Sequence, residues 1–377
     1  MPFERFYIPT KVVFGVGALK KLGEEVESLD LNPERTAVIC SPSAVSNGYV
    51  KEVEEVLKGK IKVFSNVEQE PTVENALEVL KEVREFNPTL IVAIGGGSPL
   101  DVAKAVSVML TNEGEISQFI GAPEAFKKPG VPLVAVPTTA GSGSEVTPYA
   151  VLTDKERMRK APLISRHLFP ALAIDDPRVT LSMPRSVAVN SGVDAFTHAV
   201  ESLLSKRAKT ISKFYSLKGA ELIFKNLPAS AGNSADVKAR SNVMMGSLLG
   251  GMAISLAGAG LVHTLAHILG VLRKVPHGLA NGIFLVPVLK FYGLAAKEEI
   301  EELGRAIGVE ESYKEVIEAI EEFLTFLGIP KGLKEVGVEK SDVPFFVEKC
   351  MERRFLMGNV PKIPTEREVR RLIEELL

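Results

Sequence analysis

The sequence predicts an α/β unit built on a doubly wound, mostly parallel sheet, followed by an all-α unit. Three observations carry this reading. From Thr36 onward short apolar runs alternate with longer helical patterns, the order that builds parallel sheets. A glycine cluster closes one of these runs and opens a helix. After about Thr180 the strand pattern fades, and helical periodicity continues towards the C-terminus.

Taken in order, the strand TAVICS is followed by a helix near Val50 to Leu57, the strand IKVFSNV, a helix over Val73 to Phe86 and the strand TLIVAI. VPLVAVP and PALAID extend the series. Sheets of this kind bind ligands at the carboxyl ends of their strands, in a Rossmann-like manner. There the chain places Gly95, Gly96, Gly97, Ser98, Pro99, Leu100 and Asp101, which open a helix running to about Leu110. Glycines let a pyrophosphate approach the backbone, Ser98 can cap, Pro99 suits the first turn, and the free amides attract an anion. The pattern is not G-x-G-x-x-G, and a plain strand-to-helix turn accounts for it equally well. A second loop, PTTAGSGSE from Pro137 to Glu145, gathers hydroxyls and glycines after another strand. Two such loops favour a dinucleotide.

The division is expected near DDPRVTLSMP, giving a dinucleotide-binding α/β domain over 1–180 and an all-helical domain over 181–377. Helices are read over Ile211 to Leu227, Asp236 to Leu256, Glu298 to Ala306 and Tyr313 to Leu327. Val243 to Leu272 carries no Asp, Glu, Lys or Arg and is long enough to cross a bilayer. Gly246, Gly250, Gly251, Gly258 and Gly260, with Ser247, Ser255 and two histidines, describe a helix pair buried inside protein instead.

At 377 residues the chain can form two domains with sizeable cores. A net charge of −2 and the lack of an arginine stripe argue against nucleic acid and anionic membranes as partners. Cys40 and Cys350 do not make a disulfide framework, and MPFERFYIPT lacks the apolar core of a signal peptide, so a reducing cytoplasm is expected. Absence of Trp, few Gln and abundant Glu and Lys lean towards a thermophile.

Chemistry concentrates in the helical half. Asp194 and His198 in VDAFTHAVES are four apart, as are His263 and His267 in GLVHTLAHILG, and His277 follows in VPHGLANG. Residues i and i+4 share a helical face, so each pair can offer two donors to one point. Asp-x-x-x-His alone is more often a solvated pair. His263 and His267, however, sit in an apolar segment where an unpartnered imidazole would be costly. One carboxylate with three imidazoles suits a divalent Fe, Zn, Co, Ni or Mn and leaves room for a substrate oxygen. Spacing does not choose between His263 and His267. The active site is expected in a cleft between the halves, and His167 reads as a surface or capping residue.

These blocks, in this order, resemble the iron-containing, group III alcohol dehydrogenases over nearly the whole chain. FYIPTKVVFGVGALKKLG resembles the family's start, IGGGSPLDVAKA its pyrophosphate loop and PTTAGSGSEVT its second cofactor loop. GVDAFTHAVES, AGAGLVHTLAHILG and HGLANGIFLVP resemble the segments that carry its metal. The resemblance implies a dehydroquinate synthase-like architecture with Asp194, His198, His263 and His277 as metal ligands and His267 outside them, near the nicotinamide. It implies that Gly96, Gly97, Ser98 and Asp101 hold the pyrophosphate, and that Thr138, Thr139, Ser142 and Lys160 hold the rest of the cofactor. Fe²⁺ is the expected metal, with Zn²⁺ a competitor.

One departure bears on the cofactor. Where many NAD-using relatives place an acidic residue against the adenosine ribose, this chain has Ser41, which does not repel a 2′-phosphate; NADP(H) is therefore favoured over NAD(H). The implied reaction is hydride transfer between a small, primary alcohol or its aldehyde and nicotinamide, the metal polarising the substrate oxygen. Pocket residues are expected around Met252 to Leu261 and Phe355 to Asn359, in a homo-oligomer. The alternatives are a glycerol or glycerol-phosphate dehydrogenase, or a non-redox lyase of the dehydroquinate synthase type.

Overall fold

The computed structural model describes residues 4–122, 124–310 and 312–377, except the side chains of Phe355 and Leu356. The chain forms two compact units. One holds residues 8–183 with 234–244; the other holds 4–7, 184–233 and 245–377.

The first unit is built on strands β1 (Lys11–Phe14), β2 (Arg35–Cys40), β3 (Lys60–Phe64), β4 (Leu90–Gly95), β5 (Leu133–Pro137) and β8 (Leu172–Asp175), with a hairpin of β6 (Tyr149–Asp154) and β7 (Arg159–Ile164). The six strands pair in the order β1-β8-β5-β4-β2-β3, every pairing parallel. Alternation along β4 shows why helices cover both faces. Leu90, Val92 and Ile94 join one core with α1 (Leu22–Ser28), α2 (Pro42–Ser46) and α3 (Tyr49–Val56); Ile91 and Ala93 join the other with α4 (Val73–Phe86) and α5 (Gly97–Met109). The chain reading found the central strands and the helices α3, α4 and α5. It missed β1, a short edge strand, and the β6–β7 hairpin, whose turn Lys155-Glu156-Arg157-Met158 contains neither Gly nor Asn; Met158 takes the positive φ of 45° itself.

The second unit is helical: α6 (Arg185–Leu204), α7 (Thr210–Gly232), α9 (Leu261–Arg273), α10 (His277–Tyr292), α11 (Lys297–Ile307), α12 (Tyr313–Leu327), α13 (Val343–Glu352) and α14 (Glu366–Glu375). It also holds most of α8 (Val237–Ala257). The charge-free stretch is a pair of helices, as read: α8 and α9 meet at 105°, and Gly258 at φ +78° makes the bend. By length and apolarity that bent pair, and the run His277–Ile307, pass for membrane spans; 61% of the latter's most apolar window is buried.

Candidate metal centre and cofactor loops

Helix α6 is buried along most of its length, yet its inward face carries Asp194, Thr197, His198, Glu201 and Ser202. Buried polar groups need partners; α9 and α10 supply them for Glu201 and Asp194, Thr197 Oγ1 donates to the Val193 carbonyl of α6 itself at 2.8 Å, and Ser202 Oγ has no hydrogen-bond partner among the described residues. Close approach of α10 depends on Gly278, where a Cβ would stand 1.8 Å from the Asn190 carbonyl oxygen of α6. No other residue fits there without moving a helix, and the neighbouring residue is His277.

The four expected ligands converge. Nε2 of His198, His263 and His277 lie 3.7, 3.6 and 3.5 Å from one oxygen, Asp194 Oδ1. Donors about 2.1 Å from a tetrahedral ion stand roughly 3.4 Å apart, so this spacing fits a transition-metal ion. The Asp194, His263 and His277 donors lie within 4.8 Å of one another, and the His198 donor falls outside that group, joined to it by its 3.7 Å approach to Asp194. The His198 ring stacks on His263 with centroids 4.7 Å apart. A further observation supports the fit. The Asn281 amide nitrogen stands 2.7 Å from Asp194 Oδ1, and 3.4 and 3.3 Å from Nε2 of His263 and His277. An N–H dipole thus points at the lone pairs on which a cation would sit. Its Oδ1, buried, has no hydrogen-bond partner among the described residues.

Electrostatics agree. Burial alone would raise the Asp194 carboxyl, but the His198, His277 and His263 rings hold it well below the ordinary range. Burial also works against a charged His263; the carboxylates of Asp194 and Glu201 outweigh it and raise the ring to about 9. Such rings trade a proton for a cation. His267 stands at the edge of the cluster, its ring 5.1 Å from that of His277 and 6.4 Å from that of His263. Arg353 Nη1 is 3.3 Å from its Nδ1. A guanidinium only donates, so Nδ1 accepts and Nε2 carries the hydrogen. His167 belongs to the sheet unit, half-buried just after β7 with its backbone N–H on Ser165 Oγ.

The two loops of the sheet unit meet at the ends of β4 and β5. A Cβ on Gly96 would stand 3.1 Å from Thr139 Oγ1, and one on Gly97 3.2 Å from Ser142 Cβ. Thr138 N–H donates to the Gly95 carbonyl at 2.8 Å. Gly96, not Ser98, is the N-cap of α5 and no side chain caps it. Ser98, the second helical residue, is too far along to cap; its Oγ instead accepts from Glu70 N–H at 3.3 Å. Asp101 ties the loops together, taking Ser144 Oγ–H at 2.7 Å and Val151 N–H at 2.9 Å. Lys160, buried on β7, pairs with Glu70 and donates to Thr153 Oγ1 at 3.0 Å. Ser41, at the end of β2, caps nothing with its side chain and lies 2.9 Å from Ser43 Oγ.

Two residues that pack into the cluster around Asp194 were not singled out from the sequence. Glu201, three after His198 and seven after Asp194, shares their helical face. Asn281 is four after His277 in an otherwise apolar run. Both follow the spacing that drew attention to the histidines.

The chain matches the family model for iron-containing alcohol dehydrogenase over residues 9–177, and that for the C-terminal part of the Fe-containing alcohol dehydrogenase family over 188–377. It belongs to this family, a family of oxidoreductases acting on alcohols. Among its relatives, alcohol dehydrogenase 4 of Schizosaccharomyces pombe is 32% identical over 100% of this chain and 90% of its own. The NAD-dependent methanol dehydrogenase of Bacillus methanolicus is 29% identical over 99% of both. The solved structure of an iron-containing alcohol dehydrogenase from Thermococcus thioreducens superposes with a TM-score of 0.90 at 31% identity, covering 99% of each chain.

Proposed function

We propose that this protein oxidises small primary alcohols, and reduces the corresponding aldehydes, with a nicotinamide dinucleotide and a divalent metal held by Asp194, His198, His263 and His277. The convergence of three imidazole Nε2 atoms on Asp194 Oδ1 carries the reading. When bound, the metal supplies Lewis-acid polarisation of the substrate oxygen and the nicotinamide accepts the hydride. Fe²⁺ follows from the family, and Zn²⁺ meets the same donor set.

The chain's own residues do the rest. Asp194 supplies the negative charge that draws the cation, and the rings set its place. Gly96 and Gly97 keep the start of α5 open to the pyrophosphate, with Ser98, Thr139 and Ser142 lining it; Asp101 and Thr138 brace the two loops. His267, held in its Nε2–H form by Arg353, donates outward and so orients the nicotinamide or substrate rather than accepting the alcohol proton. Ser41 presents no carboxylate to the adenosine ribose and favours NADP(H), whereas the methanol dehydrogenase relative is named for NAD. That relative supports a short alcohol as substrate. The remaining proposals are a domain division near residue 180, a homo-oligomer and, with Cys40 and Cys350 both free and buried, a reducing cytoplasm.

The test is to strip the protein with a chelator, reload it anaerobically with Fe²⁺ or Zn²⁺, and assay short alcohols and aldehydes with NAD(H) and NADP(H). Turnover should vanish on stripping and return on loading. Full activity in the stripped protein would sink the proposal.

A further inference from the structure

Glu201 is 3% exposed and lies on α6, on the face that carries Asp194 and His198. Its Oε1 accepts from Val262 N–H at 2.7 Å. Its Oε2 accepts from Gly260 N–H at 2.9 Å and His263 N–H at 3.3 Å, and lies 2.6 Å from His263 Nδ1. The N-cap of α9, Gly260, has no side chain to offer, so a carboxylate from another helix takes over the capping. Only about 10 Å³ of space lies behind Glu201, between Ser205, Tyr292 and Asn359, room for at most a single water. The carboxylate has no bulk solvent to turn to, and its place is set by the α9 amides and one imidazole.

We infer that Glu201 is a positioning residue of the metal centre: it holds the Nδ1–H of His263 and thereby turns the Nε2 lone pair towards Asp194. The step rests on the metal reading above. Three backbone donors fix the carboxylate, the carboxylate fixes the ring, and the ring cannot rotate to present its other nitrogen. A carboxylate on the far side of a ligating imidazole also makes Nε2 a better donor. The same group joins α6, bearing Asp194 and His198, to α9, bearing His263 and His267. The rival role is helix capping alone.

The two roles separate in Zn²⁺-loaded protein. Glu201→Gln can leave its Oε1 on Gly260 and His263 Nδ1, but it loses the charge and sets an NH₂ against Val262 N–H. Positioning predicts a Zn²⁺ Kd raised by about 10- to 100-fold, measured by chelator competition well below the melting temperature with helical circular dichroism intact. Capping alone predicts a lower Tm with an unchanged Kd, and that result overturns the proposal. A second measurement needs no variant. In the ¹⁵N-labelled wild-type protein loaded with Zn²⁺, His263 should show a protonated Nδ1 whose proton is shifted far downfield by its carboxylate partner; a weakly bonded, rapidly exchanging Nδ1–H would equally overturn it. His263→Ala serves as the reference. Were that variant to bind Zn²⁺ as tightly as wild type, the metal reading itself would fail, an outcome distinct from failure of Glu201.

Discussion

Two groups of buried carboxylates, one in each unit, behave in opposite ways, while Asp176 of the sheet unit, lowered against its burial by Arg178 and backbone amides, stands outside both. In the helical unit burial alone would raise Asp194 and Glu201, yet imidazoles and, for Glu201, backbone amides hold both below the usual carboxylate range. In the sheet unit burial raises Asp101, Glu145 and Asp175, Glu145 to about 7. The cation that most opposes the rise of Asp101 and Glu145 is Lys104, itself lowered to about 8 by burial, and its ammonium is committed to the Thr147 carbonyl and hydroxyl and the Tyr149 carbonyl at 2.8–3.1 Å. Both Asp175 oxygens lack a hydrogen-bond partner among the described residues. The contrast teaches which buried acids bind cations. A carboxylate ringed by imidazoles that can hold protons stays ionised and can exchange those protons for a cation, whereas carboxylates whose burial outweighs any nearby lysine drift towards the neutral form and serve as joints.

The largest effect should come from the helical side. His277→Ala should remove turnover, because it takes one donor from the set around Asp194. Gly278→Ala should come close to it without touching a donor. Its Cβ would meet the Asn190 carbonyl at 1.8 Å and push α10 away from α6. Metal affinity, followed by chelator competition, should fall at least about 10-fold; unchanged affinity would mean that the helix contact does not set the site. Next in size is His267→Ala, expected to cost about 10²-fold in kcat, the scale of a lost positioning contact. Since Arg353 occupies Nδ1, the kcat–pH profile should keep its shape; loss of a limb near neutral pH would make His267 a base after all.

A smaller effect separates the two kinds of carboxylate by pH. Glu145, raised in the fold from 4.5 to about 7, contributes stability that is complete below pH 4.5 and is lost as pH rises through 7. Asp194, lowered in the fold, contributes stability present above 3.8 and lost as pH falls below it. Glu145→Gln resembles the protonated acid. Relative to wild type, it should gain on the order of 1 to 3 kcal/mol between pH 4.5 and 7.5 in denaturant titrations of metal-stripped protein. A gain independent of pH would contradict the assignment.

Much of this was legible in the sequence, and the reason differs by region. The buried strands β2, β4 and β5 announce themselves as apolar runs between helices, and Asp194, His198, His263 and His277 as helical spacings. Glu201 and Asn281 follow the same spacings, but Glu and Asn are ordinary helix residues, so only the burial of their side chains distinguishes them. Asp101 shows the reverse case: its place in the glycine loop points to a ligand, while its two oxygens are taken by Ser144 and Val151. Which partner a carboxylate finds 43 or 50 residues away is a matter of packing.

The smallest expected effect tests the sheet unit alone. Ser41→Asp should shift preference towards NAD(H). A carboxylate about 4 Å from a 2′-phosphate opposes each unit charge by roughly 4 kcal/mol at an effective dielectric near 20, and salt screening leaves about 1 kcal/mol. Relative kcat/KM for the two cofactors should then move several-fold, and an unchanged ratio would put Ser41 away from the ribose.

Under the proposed function, turnover depends on a cation held by Asp194, His198, His263 and His277 in the helical unit, with His267 beside it. Metal analysis of anaerobically iron-loaded wild type, His263→Ala and His267→Ala, each dialysed against the same mild chelator, addresses that directly. Proton competition at His263, raised to about 9, should weaken retention as pH falls from 9 to 6. At pH 8 wild type and His267→Ala should retain the same amount of metal and His263→Ala far less. Equal retention by His263→Ala and wild type, or equal loss from both variants, would contradict the ligand set.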